Sequence, residues 1–250
     1  FDLLSSLEPW ILAEWEKTEG GEIAPWIGIP IKSGQAIGRI GIPQSLDFAV
    51  YDYETVLPGF VFPEHYDHEP WKIHTVDPFP YFPTEIRAIL FQRTLRKVEP
   101  LAGKIDYDID GKIVGTWFMD GTVDYSGNGL FHQGVAYWQG HLSIAYGYID
   151  PTQIRISFGL DTGLNDDLYC QICQGAYGVR GNQPDPATVG PGSGIVKYEL
   201  MSRKDEGPPG GGWLVKEQVG GTSLGTFLVQ HMGDRTIRIE VVPGKSPDEV

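Results

Sequence analysis

From Lys104 onward the chain is a succession of short alternating segments parted by glycine, proline and aspartate, and this pattern constrains the fold more than any other feature. Residues 104–118 place an Asp110-Gly111 turn between two alternating arms, the mark of a β-hairpin. Residues 136–146, 153–158, 169–179, 194–201, 213–218, 224–230 and 236–242 read as further strands, with Gly-Pro-Pro-Gly-Gly-Gly at 207–212 as a loop among them. Roughly eight or nine strands at short, even spacing predict an antiparallel up-and-down β-barrel or a sandwich. The 33 glycines and 19 prolines, with Tyr, Trp, Val, Ile and Thr between them, are the composition of strands and turns. The chain is therefore expected to be mainly β.

The first part reads differently. Residues 1–7 have strand character, and residues 47–52 alternate as a strand with one buried face. A loop rich in proline, histidine and aromatics runs from Leu57 to Phe82. Residues 84–94 form the one clear helical segment. Thr84 is placed to cap it, Glu85 suits its positive end, and Ile86, Ile89, Leu90 and Arg93 fall on the helical period. Residues 99–103, Glu-Pro-Leu-Ala-Gly, break that period and set a predicted boundary between a small β domain, 1–98, and an antiparallel β domain, 99–250. The start at Phe1 without methionine reads as a mature or trimmed form whose upstream strands are missing.

Within the first part, residues 31–41, Ile-Lys-Ser-Gly-Gln-Ala-Ile-Gly-Arg-Ile-Gly, lead into Ser45-Leu-Asp-Phe-Ala-Val50. This segment resembles the end of a lysostaphin-like (duplicated hybrid motif) zinc endopeptidase domain, in which such a glycine-bounded turn precedes a strand carrying His-x-His. Carried over, the two zinc ligands fall on Ser45 and Asp47. A serine hydroxyl is a poor zinc ligand, and one carboxylate does not replace two imidazoles in a tetrahedral site. The resemblance thus implies a degenerate peptidase-like scaffold that binds rather than cuts. Gly115-Thr-Trp117 is similar to the Gly-x-Trp of the first lipocalin strand, which implies that Trp117 packs in the core and that an eight-stranded barrel could hold one small ligand.

Composition narrows the partners. The formal charge of −14 repels phosphate backbones and anionic lipid surfaces, so nucleic-acid binding is disfavoured. No apolar run approaches the ~20 residues that span a bilayer. Cys170 and Cys173 form a lone Cys-x-x-Cys pair in strand-like sequence, open to a redox, zinc or unrelated-thiol reading. No nucleophile elbow and no phosphate-binding loop is present, so the reading leans away from an enzyme.

Three constellations remain. Tyr137, Trp138 and Tyr146, with the strand-borne polar residues His141 and Arg155, are the candidate ligand-binding set, since aromatics with polar tips suit a pocket for a small molecule. His65, Asp67, His68 and His74 are the densest group of possible zinc ligands, although Pro63 and Pro70 exclude a helical zinc motif there. Asp106, Asp108 and Asp110 have the opening spacing of a calcium loop, but the position of its closing glutamate holds Trp117, and three aspartates on the solvent side of a hairpin account for them. The expectation is a secreted or periplasmic, envelope-associated, non-catalytic protein that binds a small molecule or a cell-envelope polymer. The alternatives are a zinc hydrolase centred on the 64–74 loop and a structural or assembly protein.

Overall fold

A computed structural model of the chain describes residues 4–17, 28–40, 48–122, 140–159, 162, 164, 175–204, 206–207 and 216–250. Among them, residues up to Phe48 form one compact unit and residues from Ala49 onward form a second.

In the first unit, β1 (Leu4–Leu7) pairs antiparallel with β2 (Gly38–Ile40). Between them in sequence stands α1 (Pro9–Glu16), a helix that the sequence reading missed. Pro9 opens it at no cost, because a first-turn N–H has no helical acceptor to lose. The Trp10 indole donates to the Ala36 carbonyl at 3.1 Å, and the Glu8 N–H donates to Ile37 at 3.0 Å. The glycine-bounded turn is present: Gly34 has a φ of 77°, and the Lys32 N–H donates to Gln35 Oε1 at 2.9 Å. Ser45 and Asp47 lie outside the described residues.

The second unit begins with a two-stranded ribbon of β3 (Val50–Tyr51) and β4 (Thr75–Val76). Two 3-10 turns, Pro63–Tyr66 and Pro70–His74, lie between these strands, each opened by a proline. Helix α2 (Thr84–Arg93) follows, with Glu85 in its first turn and Arg93 in its last, both matched to the helix dipole. The predicted cap is corrected by one position. Thr84 is already helical, and Pro83 takes the extended entry conformation without a side-chain bond. The breaker stretch 99–103 lies inside this unit.

The remainder is one sheet of seven antiparallel strands: β5 (Gly115–Phe118), β6 (His141–Tyr146), β7 (Ile154–Phe158), β8 (Ala176–Val179), β9 (Ile195–Arg203), β10 (Val219–Gly233) and β11 (Thr236–Pro243). They pair in chain order, so the expected mainly β, up-and-down arrangement holds. Among the described residues β5 and β11 end the sheet and do not pair with each other, so it is not closed into a barrel. Of the expected strand 213–218, residues 213–215 lie outside the described residues, and Lys216 pairs with Glu206 in an isolated bridge. Residues 224–230 belong to the fifteen-residue β10, whose register against β9 shifts between Val219 and Gly225.

The sheet nevertheless rolls. Strands about 4.8 Å apart would place β5 and β10 roughly 24 Å from each other in a flat sheet. Yet Arg235, in the turn after β10, donates to the Thr116 carbonyl of β5 at 3.4 Å. The rolled face holds the main core, in which Ile113, Ile144, Ile156, Leu200, Phe227 and Val229 are sealed from solvent. Trp117 is buried in the same cluster, and its indole donates to the Ile113 carbonyl at 2.8 Å. On the opposite face, Phe118 meets a second cluster of Phe60, Tyr66 and Ile73 from the 57–76 segment.

The predicted first hairpin arm is corrected as well. The Asp110-Gly111 turn forms, but residues 104–109 make no strand, because their polar groups face another partner. The Gly59 N–H donates to Asp106 Oδ2 at 2.9 Å, the Val61 N–H to Asp108 Oδ2 at 3.3 Å, and the Asp108 N–H to the Gly59 carbonyl at 2.9 Å.

Candidate functional site

Of the residues singled out for a ligand, Tyr137 and Trp138 lie outside the described residues. The other three do not converge. Tyr146 ends β6 on the core face, whereas His141 and Arg155 lie on the opposite face, where Arg155 pairs across with Ala145. His141 sits edge-on to Phe118 with ring centroids 5.1 Å apart, and the Arg155 guanidinium donates to Gln153 Oε1 at 3.1 Å. Period-two alternation divides these residues between two faces, and the sequence pattern alone did not say which face was inner.

Two of the 64–74 histidines, His65 and His74, are held by neighbouring groups. His65 stacks on Phe62 at 5.3 Å and meets Phe118 edge-on at 5.4 Å. His74 Nδ1 lies 2.7 Å from the Thr55 carbonyl, while Asp67 and His68 are exposed. Among the described residues, no three His, Cys, Asp or Glu side chains are gathered as metal ligands. The aspartate triplet is corrected too. Asp106 is buried with Lys104 at 2.7 Å, and Asp108 accepts from Thr116 N–H at 2.8 Å and pairs with Arg235 at 2.8 Å. Both carboxylates tie chain segments together and do not stand side by side in solvent.

A polar cluster that the sequence reading saw only in part sits at one end of the rolled face. The Tyr146 hydroxyl donates to Asp185 Oδ1 through a short hydrogen bond. Asp185 belongs to the β8–β9 connection, and the same oxygen accepts the Ala187 N–H at 3.0 Å. Tyr107 packs its ring edge against Tyr146 at 5.4 Å. Tyr198 of β9 stacks on Phe227 at 6.3 Å and is 0% exposed, and its buried hydroxyl has no partner among the described residues.

Burial pushes both the Tyr146 and Tyr198 hydroxyls well above their usual range. The hydrogen bond to Asp185 adds to the shift at Tyr146, and the Asp185 charge adds to it at Tyr198. Tyr107 is raised by burial also, with the Arg96 guanidinium opposing. These phenols therefore stay neutral. Arg96 is buried and donates to the carbonyls of Val98, Pro100 and Tyr148 at 2.9, 2.8 and 2.7 Å, which fixes the chain beneath Tyr107. Tyr198 was not singled out from the sequence, although its alternation with Val196 and Leu200 in the predicted strand 194–201 was a signal that could have found it. That the Pro-Asp-Pro loop before the strand brings Asp185 near it was not legible.

Near this end, buried Glu217 holds the β6–β7 turn. Its carboxylate accepts the N–H groups of Tyr148, Ile149 and Asp150 at 3.1, 3.0 and 2.9 Å. Gly147 leaves the room this needs, since a Cβ there would stand 2.3 Å from Glu217 Oε2.

Among the described residues, no helix is long and apolar enough to cross a membrane. Comparison of the chain with protein-family models, with curated proteins and with solved structures finds no match.

Proposed function

We propose that the protein is a non-catalytic binding protein whose rolled sheet takes a small, hydroxyl-bearing ligand at the Tyr107, Tyr146, Tyr198 and Asp185 cluster. The observation that carries this reading is the Tyr198 hydroxyl, fully buried and without a partner among the described residues. Leaving such a group unsatisfied costs about 1–3 kcal/mol, and a ligand hydroxyl would recover that cost. Asp185 offers only acceptors, and neutral phenols can both donate and accept. The cluster is thus richer in acceptors than in donors, which favours a ligand that brings O–H groups, such as a monosaccharide. The centre of the rolled face is filled by its own aliphatic side chains, so the ligand belongs at this end and not in the middle. The acidic surface and the lack of a nucleophile motif agree with binding rather than turnover.

Native mass spectrometry of protein purified from its source tests this directly. A retained small molecule in the wild type, lost in Tyr146→Phe and Tyr198→Phe, is the expected result. If the wild type carries no adduct and a monosaccharide panel leaves its melting temperature unchanged, the reading fails.

A further inference from the structure

Strand β11 lies at one end of the sheet, and its bonds to β10 determine which of its backbone groups are left over. The Gly244 N–H donates to the Leu224 carbonyl at 2.8 Å, flanking the Gly225–Pro243 pair. Gly225 and Pro243 are therefore a pair without bonds of their own, as a proline without an N–H requires. Antiparallel pairs alternate, so Val242, Glu240 and Arg238 bond to β10, while Ile237, Ile239 and Val241 turn their N–H and C=O groups outward. Those outward groups have no backbone partner among the described residues.

The side chains sort by the same alternation. Ile239 lies opposite Val229, and Val241 opposite Phe227, so Ile237, Ile239 and Val241 stand on the core side of the sheet. Ile237 and Val241 pack against the core, yet Ile239 is 43% exposed. Arg238 and Glu240 stand on the other face, both exposed, and neither has an ion-pair partner among the described residues. An open strand edge commonly carries charges that deter pairing. Here two opposite charges sit two positions apart, which deters some registers and favours one.

We infer that β11 pairs antiparallel with β11 of a second copy of this chain, about a two-fold axis at Ile239. In that register Ile239 meets its own copy, Ile237 meets Val241, and the outward N–H and C=O groups of all three residues find partners. Arg238 then stands opposite Glu240 of the second copy, twice, in the non-hydrogen-bonded pairs where side chains come closest. Moving the axis to Arg238 or to Glu240 opposes two like charges instead. A foreign strand would need matched charges of its own, whereas a second copy supplies them by symmetry. The two Ile239 side chains cover each other on the core side. Such a contact is isologous and closes as a dimer, so it does not propagate. The total charge of −14 opposes the approach of two copies, but that repulsion is screened beyond about 10 Å in about 0.1 M salt, while partly buried pairs in contact are screened much less. The edge is distinct from the Tyr198 cluster and stands or falls separately from it.

Sedimentation velocity of the whole chain from about 1 to about 100 μM, in about 0.1 M salt, tests the inference. The wild type should pass from monomer to dimer across this range. Arg238→Glu and Glu240→Arg each set like charges opposite each other in both pairs, and each should raise the dissociation constant about tenfold or more. The double exchange, Arg238→Glu with Glu240→Arg, should dimerise like the wild type, and so should an equimolar mixture of the two single variants. Both positions are exposed, so all variants should keep the wild-type circular dichroism, and Tyr198→Phe should dimerise as the wild type does. The inference is overturned if the wild type stays monomeric throughout, as it would with the edge filled by another segment of the chain or reserved for a different protein. It is overturned also if the single variants dimerise like the wild type, or if the exchange and the mixture fail to restore association.

Discussion

Arg235 and Asp108 form an ion pair at 2.8 Å with side chains only 9% and 6% exposed, and this pair joins the β10–β11 turn to the chain that leads into β5. The same guanidinium lies 4.3 Å from the Trp117 ring centre. Side-chain contacts therefore bring the two ends of the open sheet together, where a closed barrel would use backbone hydrogen bonds. Arg235→Ala leaves a buried carboxylate without its cation and is expected to cost about 3–5 kcal/mol in a urea melt. Replacing both partners, Arg235→Met with Asp108→Asn, should cost less than the single change. A single-variant loss below about 1 kcal/mol would show that the pair does not hold the roll.

His231 gives the fold a pH dependence. It is buried with its ring edge toward Trp117 at 6.2 Å, and its Nδ1 accepts the Gly233 N–H at 3.0 Å. Burial, helped by Arg235 and Lys112 against Asp110, holds its pKa below the usual 6.5. The folded state thus binds fewer protons than the unfolded state just below that value. Stability is full above pH 6.5 and declines as pH falls through it, by at most about 1.4 kcal/mol per pH unit. Urea midpoints taken from about pH 7.5 to about 5.5 should fall for the wild type and fall less for His231→Phe. Parallel curves would assign the acid sensitivity elsewhere.

Glu217 satisfies three backbone N–H groups at once, so Glu217→Ala is expected to destabilise by about 2–4 kcal/mol. Glu217→Gln keeps the shape and should lose less. Gly147→Ala should be comparably damaging by a different route, since its methyl would displace the carboxylate. Equal stability of Gly147→Ala and wild type would refute the crowding argument.

Tyr198→Phe separates stability from binding. Removing a buried hydroxyl that lacks a partner should raise stability by about 1 kcal/mol in ligand-free protein. A loss of stability would mean that the hydroxyl is already satisfied.

The helix at 84–93 and most strands could be read from the sequence, because each follows from local periodicity and turn chemistry, whereas the buried place of Trp117 was expected only through the Gly-x-Trp resemblance. Helix α1 was missed because its eight residues are apolar nearly all round and carry no amphipathic stripe. The 104–109 arm was misread because Asp106 and Asp108 alternate like strand residues, while their bonding partners, Gly59 and Val61, lie 47 positions away.

The candidate site divides in the same way. Tyr146 was visible as an aromatic residue in a strand, but its partner Asp185 sits 39 residues further on in a proline-framed loop. The sequence by itself determined the β character and the negative net charge, which depend on residues close together or on sums over the chain. Only the tertiary structure decided how far the sheet rolls, which face is inner, and which hydroxyls share a carboxylate. Those outcomes rest on pairings between distant residues such as Arg235 and Asp108, and no local pattern encodes a contact whose partners meet only when the sheet has folded.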